Sequence, residues 1–200
     1  MCLFIETIRI YNGNICNLYY HQQRVDKTCN EVLSLNNPPI LSKHIICPEE
    51  YTKGLIKCRV TYSNKIIKIE YEPYKWHLIK TLKVIKNNEI SYNYKFADRS
   101  KINELFSLRG KCDDILIVKN NFITDTSFCN VLLWDGYKWV TPANPLLKGI
   151  MRQKAIQSAF AVEDEIPLSK LKYFKKICLI NAMLDINQIN EIDINIGVYF

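Results

Sequence analysis

Long hydrophobic runs are what this sequence most plainly lacks. No stretch of eighteen apolar residues occurs, and the opening MCLFIETIRI has no basic segment followed by a long apolar one. Neither a membrane span nor a secretory leader is therefore expected. Clustered cysteines are missing too. Cys2, Cys16, Cys29, Cys47, Cys58, Cys112, Cys129 and Cys178 are never closer than eleven residues, which argues against a disulfide scaffold and for reduced thiols in a cytoplasm. His21, His44 and His77 stand apart from one another, so local sequence assembles no zinc ribbon and no HExxH site, and no metal is expected. Internal repeats and low-complexity linkers are absent as well.

A shortage of acidic residues leaves a formal charge of +7, which raises the question of a nucleic-acid partner. The basic residues are spread along the chain rather than clustered. The densest group, Lys170, Lys172, Lys175 and Lys176, includes Leu171, Tyr173 and Phe174. It reads as a solvated amphipathic face, and no nucleic-acid partner is expected.

What is present is the composition of an ordinary globular protein, 48% apolar and 24% charged over 200 residues, enough for one large domain or two small ones. LFIETIRI alternates apolar and polar residues, and YNGN follows as a turn leading into ICNLYY, a hairpin signature. Val25, Cys29, Val32 and Leu33 recur at helical spacing between His21 and Leu35, before Asn36-Asn37-Pro38-Pro39 stops the segment. GLIKCRVTY and KIIKIEYEPY flank Ser63-Asn64 as a second hairpin. The stretch from Tyr74 to Leu78 is the expected junction, giving domains 1–76 and 77–200.

Beyond it, TLKVIK reads as a strand and Asp98 to Leu108 as a helix capped by Ser100 or Asp98 and closed by Gly110. Short strands then run to Pro142 through Asn-Asn and Asp-Gly turns. KGIMRQKAIQSAF reads as a turn and a helix, SKLKYFKKI as a second short helix, and CLINAML as a buried strand entering a loop.

The segment ITDTSFCNVLLWDGYKWVTPANPLLKGIMR places Asp125, Asn130, Thr141-Pro142 and Gly149-Ile150-x-Arg152 in fixed order, with Lys95 thirty positions before Asp125. Together with YYHQQRV near the start, that order and spacing resemble the class IV (fold-type IV) aminotransferases, which use pyridoxal 5'-phosphate (PLP). The resemblance implies an α+β protein with a small N-terminal α/β domain and a larger barrel-like C-terminal domain. It also implies the cofactor at their junction, a homodimer and a small-molecule amino substrate.

It further implies roles. Lys95 is the Schiff-base lysine and the acid/base; apolar and aromatic neighbours such as Tyr94 and Phe96 would favour its uncharged amine. Asp125 occupies the slot where the family has Glu and would face the cofactor's ring nitrogen, with Asn130 as the family's following Asn. Arg24 matches the Arg of the family's His-x-x-Arg element, which grips the phosphate, a task suited to a forked guanidinium. Gly149 and Ile150 match the turn whose backbone N–H groups meet the phosphate at a helix N-terminus, and Asn181 and Ala182 fall at a second phosphate loop. Relatives carry a substrate-binding Arg-Gly loop where this chain has Tyr62-Ser63-Asn64, which leaves Arg59 as the candidate for the substrate carboxylate. The short chain resembles most the 4-amino-4-deoxychorismate lyases, which release pyruvate and form 4-aminobenzoate. A branched-chain or D-amino acid transaminase and a non-catalytic member of the fold are the alternatives.

Overall fold

The computed structural model describes residues 2–184 and 190–200. They divide into two compact units, one made of residues up to 76 together with 94–98, the other of 77–93 together with residues from 99 onward.

The first unit is a four-stranded sheet carrying one long helix. Strand β1 (Phe4–Tyr11) turns through Asn12 and Gly13, both with positive φ, into a two-residue strand β2 (Asn14–Ile15). That left-handed pair is what an Asn-Gly hairpin turn demands. The strand expected to continue through ICNLYY does not form: Asn17 adopts a left-handed conformation and helix α1 (Leu18–Leu33) begins at once. Its inward face carries His21, Val25, Thr28 and Cys29, and Ser34 ends it in another left-handed residue whose N–H returns to Cys29 O.

Strands β3 (Leu55–Tyr62) and β4 (Ile66–Pro73) form the expected second hairpin, and the sheet order is β2-β1-β3-β4. Phe4, Ile8 and Ile10 of β1 face Tyr62, Cys58 and Ile56 of β3 and pack with Val25 and Cys29 as one core. β1 is buried on both faces along most of its length, whereas its neighbour β3 alternates. At its N-terminal end the segment 94–98 takes the free edge, with Ile5 N–H donating to Lys95 O (2.9 Å) and Ala97 N–H to Leu3 O (2.8 Å).

The second unit holds two sheets, in the orders β13-β5-β6-β7 and β10-β9-β8-β11-β12. In the first, β5 (Leu82–Lys86) lies parallel to β6 (Asp114–Lys119), with α2 (Ser100–Ser107) in the connection. Arg99, not Ser100 or Asp98, sits at the cap position of α2, and its own side chain makes no cap bond. Asn120 and Asn121 take positive φ and turn β6 back into β7 (Phe122–Ile123), while β13 (Val198–Tyr199) closes the far edge against β5.

In the second sheet β8 (Asn130–Trp134) and β9 (Trp139–Pro142) are joined through Asp135-Gly136, and α3 (Ile150–Gln157) leads to β10 (Ala161–Asp164), parallel to β9. β11 (Lys176–Ile180) pairs with β8 on one side and with β12 (Asn190–Asp193) on the other; the single-turn helix α4 (Ile194–Gly197) then leads to β13. The runs ILIV, VLL and ICLI are buried on both faces, so they read as continuous apolar segments rather than alternating ones. The helix expected in SKLKYFKKI is a 3-10 helix, Leu168–Tyr173, burying Leu168 and Leu171 while Lys170, Lys172, Lys175 and Lys176 stay exposed. Apolar residues three apart suit the three-residue turn of that helix. No helix among the described residues is long and apolar enough to cross a membrane.

Candidate functional site

The first unit gathers Glu6, His21, Arg24 and Lys95. Glu6 is on the α1-facing side of β1 and is fully buried; His21 and Arg24, three apart, lie on one face of the helix above it. Arg24 Nε donates to Glu6 Oε1 (2.8 Å) and Arg24 Nη2 to Oε2 (2.6 Å), a forked pairing, and His21 Nδ1 lies 2.5 Å from Oε2. Burial pushes the Glu6 carboxyl up, but the charge and hydrogen bonds of Arg24, then those of His21, outweigh it and hold its pKa at about 2.

His21 is held below its usual value, chiefly by burial and then by the positive charges of Arg24 and Lys95, against the pull of Glu6. Its Nε2 is buried with no hydrogen-bond partner. Arg59 lies on the opposite side of the same sheet, paired with Thr7 of β1 and Glu70 of β4 and half-buried. Arg9, which the sequence does not single out, shares that side and is 8% exposed, stacked over Tyr11.

The second unit gathers Asp125, Asn130, Gly149 and Arg152. Asp125 and Asn130 form a β-bridge at the entry to β8, and Asn130 Nδ2 donates to Asp125 Oδ1 and to Leu147 O (2.8 Å). Asn130 Oδ1 accepts from Gly149 N–H at 3.1 Å. The other carboxylate oxygen of Asp125 accepts from the N–H groups of Leu146 and Leu147. Despite these bonds, burial pushes the Asp125 carboxyl up to about 7; the hydrogen bonds from Asn130, Leu146 and Leu147 and the charge of Arg152 offset it only in part.

Gly149 caps α3, and a Cβ there would overlap Asn130 Oδ1. The structure thus supplies an intramolecular reason for glycine at this position. Ile150 is the first, buried residue of α3, whose cap residue, a glycine, has no side chain to bond the first helix N–H groups. Arg152 donates to Pro142 O (2.8 Å) and pairs with Glu163, which joins α3 to β9 and β10, and the Thr141 hydroxyl donates to Val131 O (2.9 Å), which ties β9 to β8.

Asn181 and Ala182 follow Ile180, which pairs directly with Asn130. Asn181 donates to Cys129 Sγ (3.3 Å) and accepts from Met183 N–H (2.9 Å). Arg99 donates to Ser127 O (2.6 Å), bracing the loop between Asp125 and Asn130. Glu6, His21, Arg99 and the backbone of Leu146 and Leu147 escaped the sequence reading. His21 had a usable signal, its place three residues before Arg24 on one helix face. The Leu146 and Leu147 amides had none.

Comparison with known proteins identifies the family. The model of the class IV aminotransferases matches residues 3–192. A Haemophilus influenzae protein described only as uncharacterized is 37% identical over 180 residues, covering 89% of this chain and 96% of its own. A Haemophilus somnus protein, whose crystal structure carries the provisional description 4-amino-4-deoxychorismate lyase, superposes with a TM-score of 0.84 at 32% identity and covers 92% of this chain and 97% of its own. A Mesorhizobium loti protein provisionally described as an amino-acid aminotransferase has a TM-score of 0.76 at 16% identity, covering 96% and 99%, a likeness of fold alone. The mixed α/β architecture with a barrel-like C-terminal domain is that of the fold-type IV enzymes. The chain belongs to the class IV aminotransferase family of pyridoxal-phosphate-dependent enzymes.

Proposed function

We propose that this protein is a cytoplasmic, homodimeric lyase that converts 4-amino-4-deoxychorismate into pyruvate and 4-aminobenzoate, a reaction of folate biosynthesis. The observation that supports this reading over other class IV reactions is the near-full-length likeness to the Haemophilus somnus protein described as such a lyase.

The residues present fit pyridoxal phosphate on one feature of this chain. Asp125 is a buried carboxylate whose pKa stands at about 7, and the guanidinium acting on it, Arg152, is itself committed to Glu163 and Pro142 O. A cationic ring N–H is the kind of partner that would bring it back to the ionised form. Lys95 would carry the cofactor, Asp125 would face its ring nitrogen, and Asn130 would hold Asp125. Arg24, the N–H groups at Gly149 and Ile150, and the loop at Asn181 and Ala182 would take its phosphate.

When bound, pyridoxal phosphate supplies an electron sink for the pair left behind when a proton leaves the substrate carbon. Lys95 Nζ is the base that removes the proton from the amino-bearing ring carbon. Loss of that proton with the enolpyruvyl C–O bond leaves an aromatic ring and pyruvate, and no keto acid is needed. Arg59 holds a substrate carboxylate.

The experiment is to incubate the purified protein with pyridoxal phosphate, reduce with borohydride, map the adduct, and assay 4-aminobenzoate and pyruvate from 4-amino-4-deoxychorismate. The expected result is an adduct on Lys95, absent in Lys95→Ala, with equimolar products. Amino transfer to a keto acid without pyruvate release would replace the lyase by a branched-chain or D-amino acid transaminase. No adduct on any lysine would leave a non-catalytic member of the fold.

A further inference from the structure

Arg24 meets Glu6 along one edge of its guanidinium. Nε donates to Oε1 (2.8 Å) and Nη2 to Oε2 (2.6 Å), and His21 Nδ1 lies 2.5 Å from the same Oε2. Glu6 is fully buried, flanked along its face of β1 by the buried Phe4 and Ile8. Burying an ion pair adds little stability over apolar residues of the same volume. Folding by itself therefore does not call for this one, and its geometry shows what else it does.

A guanidinium carries five N–H donors in a rigid fork. The edge formed by Nε and Nη2 is committed to Glu6, so a second anion in the guanidinium plane meets the edge formed by Nη1 and Nη2. An anion from solvent can reach the arginine but not the acid: the Arg24 side chain is 12% exposed, that of Glu6 0%. The carboxylate is held in turn. His21 and Arg24 stand three apart on α1, and the His21 ring braces Oε2 from the helix side.

We propose that Glu6 is a positioning residue for Arg24: braced by His21, it fixes the Nε edge of the guanidinium and turns the Nη1–Nη2 edge toward the cofactor phosphate. This rests on the reading of Arg24 as a phosphate ligand of pyridoxal phosphate. The orientation comes at an electrostatic cost, because an ionised carboxylate stays close to the phosphate and repels it. Charge and geometry therefore predict opposite outcomes when Glu6 is neutralised.

The measurement is the affinity of the protein for pyridoxal phosphate and for pyridoxal, which lacks the phosphate, by equilibrium dialysis, with urea unfolding beside it to establish that the variant is folded. In Glu6→Gln one of the two acceptors becomes a donor, so the fork cannot re-form. Binding of pyridoxal phosphate should weaken about tenfold or more, the effect of misdirecting a charge-assisted contact, while binding of pyridoxal changes by less than about twofold. Tighter binding of pyridoxal phosphate would show that Glu6 acts on the phosphate only as a repelling charge. Equal losses for both ligands would show that it acts only through the fold. Either result overturns the proposal.

Nitrogen NMR of the wild-type protein gives a readout that needs no variant to fold. With Nε and Nη2 tied to Glu6, the Arg24 Nε–H should be protected from exchange before any ligand is added. Pyridoxal phosphate should then shift the Arg24 Nη1 signal and leave Nε–H in place, and pyridoxal should shift neither. An Nε–H that moves as far as Nη1 would show that the phosphate displaces Glu6, and would overturn the proposal. No shift at Arg24 while the borohydride adduct forms on Lys95 would instead remove Arg24 from the phosphate, the reading on which the proposal rests.

Discussion

Asn130 joins Asp125 to the turn before α3: its amide nitrogen donates to the Asp125 carboxylate and to Leu147 O, and its oxygen accepts from Gly149 N–H. One side chain thereby sets the position of the acid and of the helix N-terminus together.

Removing that side chain should cost both. Asn130→Ala leaves the Leu147 carbonyl and the Gly149 amide without their partner and should destabilise the protein by about 2–4 kcal/mol in urea unfolding. A loss under about 0.5 kcal/mol would show that solvent replaces the amide.

Gly149→Ala should act through the same contact. The added methyl overlaps Asn130 Oδ1, and the displacement should cost about 1–3 kcal/mol. In Asn130→Ala the obstacle is gone, so the double variant should be more stable than the sum of the singles by about 0.5 kcal/mol or more. Strict additivity would mean that the glycine answers to something other than Asn130.

Stability of the cofactor-free protein should fall as pH rises from about 4 to about 7 and level off above, through Asp125. Its folded pKa, about 7, lies above the ordinary 3.8, so over that window the folded protein retains a proton that the unfolded chain has released. Asp125→Asn should flatten this slope, which is at most about 1.4 kcal/mol per unit, in unfolding curves taken across the window. An unchanged slope in the variant would assign it to another group.

Glu6 should act in the opposite sense. Its pKa is depressed from 4.5 to about 2, so its contribution is present above 4.5 and lost as pH falls toward 2. Glu6→Gln strands the Arg24 charge and should destabilise by about 3–5 kcal/mol at neutral pH. Arg24→Ala, which strands the Glu6 charge instead, should do the same and also weaken pyridoxal phosphate retention, read by equilibrium dialysis. Retention equal to the wild type would remove Arg24 from the phosphate.

Both hairpins, α3 and the buried β11 were legible because each is written in a local pattern: Asn12-Gly13 demands a left-handed turn, and residues 56 to 62 alternate between core and opposite face. The start of α1 was not. Asn17 reverses the chain two residues after β2 ends, and its positive φ is imposed by context rather than by a glycine. The 3-10 helix at Leu168–Tyr173 differs from an α-helix by a fraction of a residue per turn, too little for a six-residue pattern to separate.

The family and its cofactor were legible in the sequence alone, because order and spacing along a chain survive without coordinates: the candidates Lys95, Asp125, Asn130 and Gly149-Ile150 are a pattern of intervals. What only the tertiary structure decided is which groups hold which. The bonds from Glu6 to His21 and Arg24, the backbone amides of Leu146 and Leu147 on Asp125, and the contact that excludes a methyl from Gly149 join residues from 15 to 22 positions apart or aligned only by strand register. Such bonds depend on distance and burial, which exist only once the chain has folded.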